Sequence, residues 1–133
     1  MCGIFALMSK LNYELIENNF VKGKNRGPEN SHLSKLNIKE NNSGSMYFGF
    51  HRLAINGLNT ESNQPLVNNG IHLICNGEIY NYKQLYKMMN LKGESDSDCE
   101  VIIHLYKKYG FEETVRMLDG VFAIILLDNT ILD

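Results

Sequence analysis

The chain has 133 residues, of which 44% are hydrophobic and 21% charged, and these values are typical of one globular domain. Its formal net charge is -2 and no block of like charges occurs, which argues against a nucleic-acid surface or a basic membrane-binding face. Three cysteines without paired spacing argue against a disulfide scaffold or a zinc site, and no apolar run approaches a membrane span, so we expect a cytoplasmic protein.

The first half of the chain predicts a strand, a helix and a hairpin. Gly3 to Met8 is a short apolar run, which predicts a strand buried on both faces. Apolar residues recur at helical spacing from Asn12 to Asn25, before an Arg-Gly-Pro segment that would end a helix. Leu33–Ile38 and Met46–Ile55 are strand-like and flank a glycine-containing turn at 40–44, so together they predict a hairpin.

The second half predicts another hairpin, three helices and a last strand. Asn68-Asn69-Gly70 lies between two apolar runs and is a strong hairpin signal, with Asn76-Gly77-Glu78 at the end of the second arm. Tyr82–Met89 has helical spacing, and Ser97 with Glu100 fits a capping box that opens a further helix. A short helix over 111–118 and a buried strand over 121–127 follow, and the return strand has only residues 130–133.

Cys2 is the candidate nucleophile. If Met1 is removed, Cys2 carries a thiol and a free α-amine on one residue. Their ordinary pKa values are about 8.5 and about 8, so the amine can take up the proton of the thiol near neutral pH. Taken alone, a cysteine at position two is more simply explained as an accident of sequence, and the motifs downstream are what favour a nucleophile.

Further candidates have a functional and a structural interpretation. Asn76 and the N–H of Gly77 could form an oxyanion hole, or Asn-Gly could simply make a turn. Arg52 could bind a carboxylate through two parallel hydrogen bonds, or it could form a surface ion pair. Glu78 and Asp98 could hold an ammonium group, although Asp98 also suits a helix N-terminus.

Three other reactive side chains are interpreted as structural. His51 could act as a base, but an N-terminal amine makes one unnecessary. Cys75 and Cys99 are interpreted as small core residues, which is the usual role of an unpaired cysteine.

Seven segments occur in one order along almost the whole chain, and together they carry a family resemblance. They are Met-Cys-Gly-Ile-Phe at 1–5, Arg-Gly-Pro at 26–28, His-Arg-Leu-Ala-Ile at 51–55, Gln-Pro at 64–65, Asn-Gly-Glu-Ile-Tyr-Asn at 76–81, Ser-Asp-Cys-Glu-Val-Ile at 97–102 and Leu-Asp-Gly-Val-Phe-Ala at 118–123. The chain resembles the class II, N-terminal nucleophile, glutamine amidotransferases. Within that family it is most similar to the glutaminase part of the asparagine synthetase branch.

The resemblance implies an α+β fold, an αββα sandwich of two facing sheets between helical layers. It implies that Cys2 attacks the side-chain amide of L-glutamine to form a thioester, which water hydrolyses to glutamate and ammonia. Asn76 and Gly77 would supply the oxyanion donors, Arg52 would bind the α-carboxylate, and Glu78 with Asp98 would bind the α-ammonium. No cofactor or metal is implied for this chain, because ATP and magnesium would belong to a separate synthetase domain.

Two departures from the family pattern qualify the resemblance. Glu29 stands after Arg-Gly-Pro where the family usually has Asp, a mild change. The family pattern also continues with further strands and a synthetase domain. Residues 1–133 are therefore expected to form a partial amidotransferase domain that is either truncated or supplied in trans with its synthetase. The alternatives are a non-catalytic remnant that binds glutamine or a partner, and a class II amidotransferase that serves another acceptor.

Overall fold

The fold contains two three-stranded antiparallel sheets. The computed structural model describes residues 2–36, 44–55 and 57–131. The first sheet has the order β1 (Gly3–Ser9), β3 (Ser45–Arg52), β2 (Asn30–Leu36), so β3 is central. The second has the order β4 (Leu66–Asn68), β5 (Ile71–Ile79), β6 (Gly120–Asp128), with β5 central and β6 paired along its whole length.

Helices cover the outer face of each sheet. Helix α1 (Tyr13–Phe20), continued by a 3₁₀ turn from Val21 to Arg26, places Phe20 against Phe5 and against His51 on the first sheet, with ring centroids 5.8 and 4.0 Å apart. Helices α2 (Tyr82–Met89) and α3 (Val101–Met117) pack on the outer face of the second sheet. The layers therefore run helix, sheet, sheet, helix, which confirms the predicted αββα sandwich.

Side-chain alternation along the strands gives the molecule two cores. Between the sheets, Phe48 and Ile74 are fully buried, and partly buried residues of β1 and β6 pack around them. On the other face of β5, Leu73, Cys75 and Ile79 pack against the helices. Because successive residues of a strand point to opposite faces, β5 contributes alternate side chains to both cores.

The hairpin and the helices agree closely with the predicted pattern. The two central residues of the 68–71 turn, Asn69 and Gly70, have φ values of 49° and 82°, as a tight two-residue hairpin turn requires. Helix α2 has the predicted bounds, and Gly110, with φ 77° and ψ 173°, interrupts α3 where two successive helices were predicted. Among the described helices, none is long and apolar enough to cross a membrane.

Two expectations about the elements need correction. Strands β1 and β6 are mostly half-buried rather than buried on both faces, because each lies at an edge of its sheet. The capping box is half formed: the Ser97 hydroxyl accepts from the Cys99 N–H, but the Glu100 carboxylate turns to the N–H groups of Glu94 and Ser95. Except for Gly44, the predicted turn at 40–44 lies outside the described residues. Met1 and residues 132–133 of the predicted return strand also lie outside them.

Candidate functional site

The candidate site lies at one end of the space between the two sheets. On three strands the side chains that face the opposite sheet change there from apolar to polar: from Ala6 and Ile4 to Cys2, from Phe48 and Phe50 to Arg52, and from Ile74 to Asn76. The change keeps the two-residue period of each strand, so the polar side chains extend the same faces that form the core. A rigid two-sheet support therefore holds all three.

A cavity of about 170 Å³ opens at this end of the sandwich. One water molecule requires roughly 10 to 15 Å³ of cavity volume, so this cavity can take a molecule the size of an amino acid. All six residues selected from the sequence line it: Cys2, Arg52, Asn76, Gly77, Glu78 and Asp98. Exposed apolar side chains of Ile55, Tyr80 and Val121 lie at its rim.

The Cys2 thiol is held by the backbone of a single residue. Its Sγ lies 3.3 Å from the carbonyl oxygen of Leu53, to which it donates, and 3.3 Å from the Leu53 N–H, which donates to the sulfur. The Glu29 carboxylate accepts from the N–H of Ala54 at 2.8 Å and so fixes the segment next to Leu53. A deprotonated sulfur at Cys2 would keep the Leu53 N–H as a hydrogen-bond donor.

Arg52 is a buried cation, only 8% exposed. Among the described residues, its guanidinium contacts three neutral oxygens: the carbonyl of Gly57, the carbonyl of Asn59 at 3.1 Å and the side-chain oxygen of Asn63 at 2.5 Å. This arrangement replaces the surface ion pair that was the alternative interpretation. Since a buried charge is stabilised by a charged partner, the geometry suits an anionic group of a ligand.

Asp98 is a buried carboxylate, 5% exposed, that accepts a hydrogen bond from the Ile79 N–H at 2.6 Å. Burial raises the pKa of Asp98 above its usual range, and the nearby charge of Glu78 raises it further, while backbone N–H groups act in the opposite direction. Two carboxylates at the end of one cavity form a negative region that suits a cation. Glu78 itself is exposed and lies on the cavity wall.

Asn76 and Gly77 lie inside β5 and not in a turn at its end. They are paired with Ala123 and Phe122 of β6, and the strand continues to Ile79. A Cβ at position 77 would lie 2.3 Å from the carbonyl oxygen of Val121, so only glycine fits against β6 there. The turn interpretation is therefore wrong, and the need for glycine comes from close strand packing.

His51, on the opposite face of β3 from Arg52, has a structural environment. Its Nε2–H donates to the Phe20 carbonyl at 2.9 Å, and its Nδ1 accepts from the Ser31 hydroxyl at 2.7 Å. Both ring nitrogens are thus engaged and the ring is 2% exposed, so His51 is not available to the cavity. Cys75 and Cys99 are buried in the helix-facing core, as expected, and both residues also line part of the cavity.

Two contributors were missed in the sequence. The backbone of Leu53 holds the thiol, and the side chain of Gln64 forms two hydrogen bonds to the backbone of Cys75, immediately before Asn76. Gln64 and Pro65 were noted as a motif without a role. No group of three or more potential metal-binding side chains occurs in the part of the chain that the structure describes.

Comparison with known proteins identifies relatives of the whole chain. A family model described as a glutamine amidotransferase domain matches residues 1–131. The asparagine synthetases [glutamine-hydrolyzing] of Gallus gallus and Homo sapiens are 41% and 38% identical to 97% of this chain, and the "Probable asparagine synthetase [glutamine-hydrolyzing]" of Acanthamoeba polyphaga mimivirus is 35% identical to 97% of it. These matches cover 23%, 23% and 24% of the relatives, so the chain spans about a quarter of their length.

Proposed function

Because this chain belongs to the glutamine amidotransferase domain family, we propose that it hydrolyses the side-chain amide of L-glutamine and releases ammonia. One observation carries the proposal. A single cavity is lined by a half-buried thiol, a buried guanidinium without a carboxylate partner among the described residues, and two carboxylates. Glutamine offers a matching set of groups: an amide carbon for the thiol, a carboxylate for the cation and an ammonium for the anions.

The amino-acid end of glutamine is bound by charge. Arg52 pairs with the α-carboxylate, and the buried position of its guanidinium supports a strong, charge-assisted contact. Asp98 and Glu78 pair with the α-ammonium, and binding of that cation favours the ionised form of Asp98, which burial alone disfavours. Substrate charge thus offsets the cost of holding these side chains at the end of the cavity.

The reaction proceeds through a covalent thioester. After removal of Met1, the Cys2 α-amine accepts the thiol proton and the sulfur attacks the amide carbon of glutamine. The resulting oxyanion accepts hydrogen bonds from the Asn76 side-chain amide and the Gly77 N–H. The C–N bond then breaks, ammonia leaves with the returned proton, and a water molecule hydrolyses the thioester to glutamate and the free thiol.

The ammonia is used by a synthetase. The relatives named above are asparagine synthetases, and this chain matches about a quarter of their length. We therefore propose a synthetase domain or subunit as the partner that receives the ammonia, and any ATP and magnesium would bind there. The residues of the cavity described here act without a cofactor.

The test is ammonia release from glutamine by the purified chain and its Cys2→Ala variant, with intact mass to confirm loss of Met1. We expect release by the parent and none by the variant at an unchanged free energy of unfolding. Iodoacetamide should alkylate Cys2 in competition with glutamine, while Cys75 and Cys99, 1% and 3% exposed, serve as internal controls. Residual activity in Cys2→Ala would overturn the mechanism, and saturable glutamine binding without ammonia release would favour a binding fragment.

A further inference from the structure

Gln64 occupies an unusual place beside β5. Strand β4 pairs with β5 through Leu66 opposite Leu73, and Pro65, which has no N–H, stands just before it. If the register is continued past the proline, residue 64 falls opposite Cys75. At this point the chain leaves the sheet, and none of the described residues pairs as a strand with β5 on its β4 side from Ile74 onward.

The side chain of Gln64 takes the place of that neighbour. Its Oε1 accepts from the Cys75 N–H at 2.6 Å, and its Nε2 donates to the Cys75 carbonyl at 3.1 Å. A primary carboxamide has the same donor and acceptor pair as a peptide group, so it reproduces both hydrogen bonds of a strand partner. Gln64 is 7% and Cys75 1% exposed, so water could not easily satisfy these backbone groups instead.

The neighbouring residue connects this contact to the cation of the site. Asn63 accepts a hydrogen bond from the Arg52 guanidinium at 2.5 Å, while Gln64 binds the backbone of the residue before Asn76. Two adjacent side chains therefore join the two ends of the proposed glutamine site, the carboxylate-binding end at Arg52 and the oxyanion end at Asn76.

We propose that Gln64 is a positioning residue that fixes Asn76 and the Gly77 N–H at the distance from Arg52 that the length of glutamine requires. The inference rests on the proposed glutaminase activity. The two hydrogen bonds between the Gln64 side chain and the Cys75 backbone are called the Gln64 clamp. Without the clamp, β5 keeps its pairing with β6 but can shift on the side that faces away from β6, and the oxyanion donors move relative to the bound amide. Since Arg52, Glu78 and Asp98 still bind the amino-acid end, kcat should fall more than KM rises.

The test compares Gln64→Met, an apolar side chain of similar length, with Gln64→Glu. For Gln64→Met we expect kcat for ammonia release to fall about 10- to 100-fold, with KM for glutamine within about threefold, because a donor is displaced and not removed. An unchanged kcat, or a fall that matches only the loss of folded protein, would overturn the proposal.

Gln64→Glu provides a pH-dependent rescue that a merely structural role does not predict. A protonated Glu carboxyl donates and accepts as the amide does, whereas the carboxylate has no donor for the Cys75 carbonyl. The ratio of variant to parent kcat should therefore fall as pH rises from 5 to 9, while the ratio for Gln64→Met stays constant. A flat ratio for Gln64→Glu would overturn the proposal even if Gln64→Met does not fold.

Hydrogen exchange separates this inference from the proposed function. A parent chain without ammonia release would overturn the glutaminase proposal and leave the clamp testable by itself. In Gln64→Met, which has no acceptor for the Cys75 N–H, the amide of Cys75 should exchange at least tenfold faster than in the parent, while Leu73, paired with β4, serves as the internal control. Unchanged protection at Cys75 would refute the clamp.

Discussion

Replacing Asp98 with Asn should weaken glutamine binding without destabilising the fold. Burial raises the pKa of Asp98, so its contribution to stability is present below the unfolded pKa of about 3.9 and is lost as pH rises through the folded pKa. At neutral pH its charge therefore costs stability. In the parent, the Ile79 N–H lies 2.6 Å from the Asp98 carboxylate. The side-chain amide of the Asp98→Asn variant keeps an oxygen that accepts this hydrogen bond, and it removes the charge.

The expected change in binding follows from loss of the proposed contact between Asp98 and the α-ammonium of glutamine. A hydrogen bond to a charged group contributes about 1.5 to 3 kcal/mol, so KM for glutamine should rise about 10- to 100-fold. Ammonia-release kinetics and urea unfolding at pH 7 measure the two effects, and Asp119→Asn, an exposed change outside the cavity, is the charge-matched control. An unchanged KM with a loss of more than about 1 kcal/mol in stability would identify Asp98 as a helix cap only.

Two further variants test the packing of β5 against β6 and the electrostatics of the Glu100 carboxylate. Gly77→Ala should lower the free energy of unfolding by about 2 to 3 kcal/mol, because its Cβ would meet the Val121 carbonyl at 2.3 Å. A urea titration measures the loss, and an unchanged free energy of unfolding would refute the steric argument. Burial acts to raise the pKa of Glu100, but hydrogen bonds from Ser95, Glu94 and His104 outweigh it and lower the pKa. The stability that Glu100 contributes is thus present above about pH 4.3 and lost as pH falls further, so the gap in unfolding free energy between the parent and Glu100→Gln should narrow on acidification, and a constant gap would contradict the sign of this shift.

The features that could be predicted from the sequence are those that depend on the pattern of side chains along the chain. Strand alternation and helical spacing located most elements, and the turn at Asn69 and Gly70 has a local chemical cause in their tolerance of positive φ. The chemistry-bearing side chains could be selected because thiol, guanidinium and carboxylate groups are visible in a sequence. Their placement along one cavity agrees with that selection, while their individual roles stay predictions.

What could not be predicted depends on backbone groups and distant pairing. Asn76 and Gly77 have the composition of a turn, but pairing with β6, more than 40 residues later, overrides that local preference. Leu53 contributes only its N–H and carbonyl, which every residue but proline possesses. The partner of Gln64 is also a peptide group, so neither contact leaves a sequence signal.

The alternation that extends the core faces into the cavity also governs how the site is assembled. A slip of one residue in β1, β3 or β5 would turn its polar end residue outward and bring side chains of the outer face between the sheets. A chain that collapses in the wrong register therefore loses its core and the side chains that line the cavity at the same time. A small molecule that contacts both sheets at this end would bind only the correctly paired form, and the melting temperature would rise with its concentration.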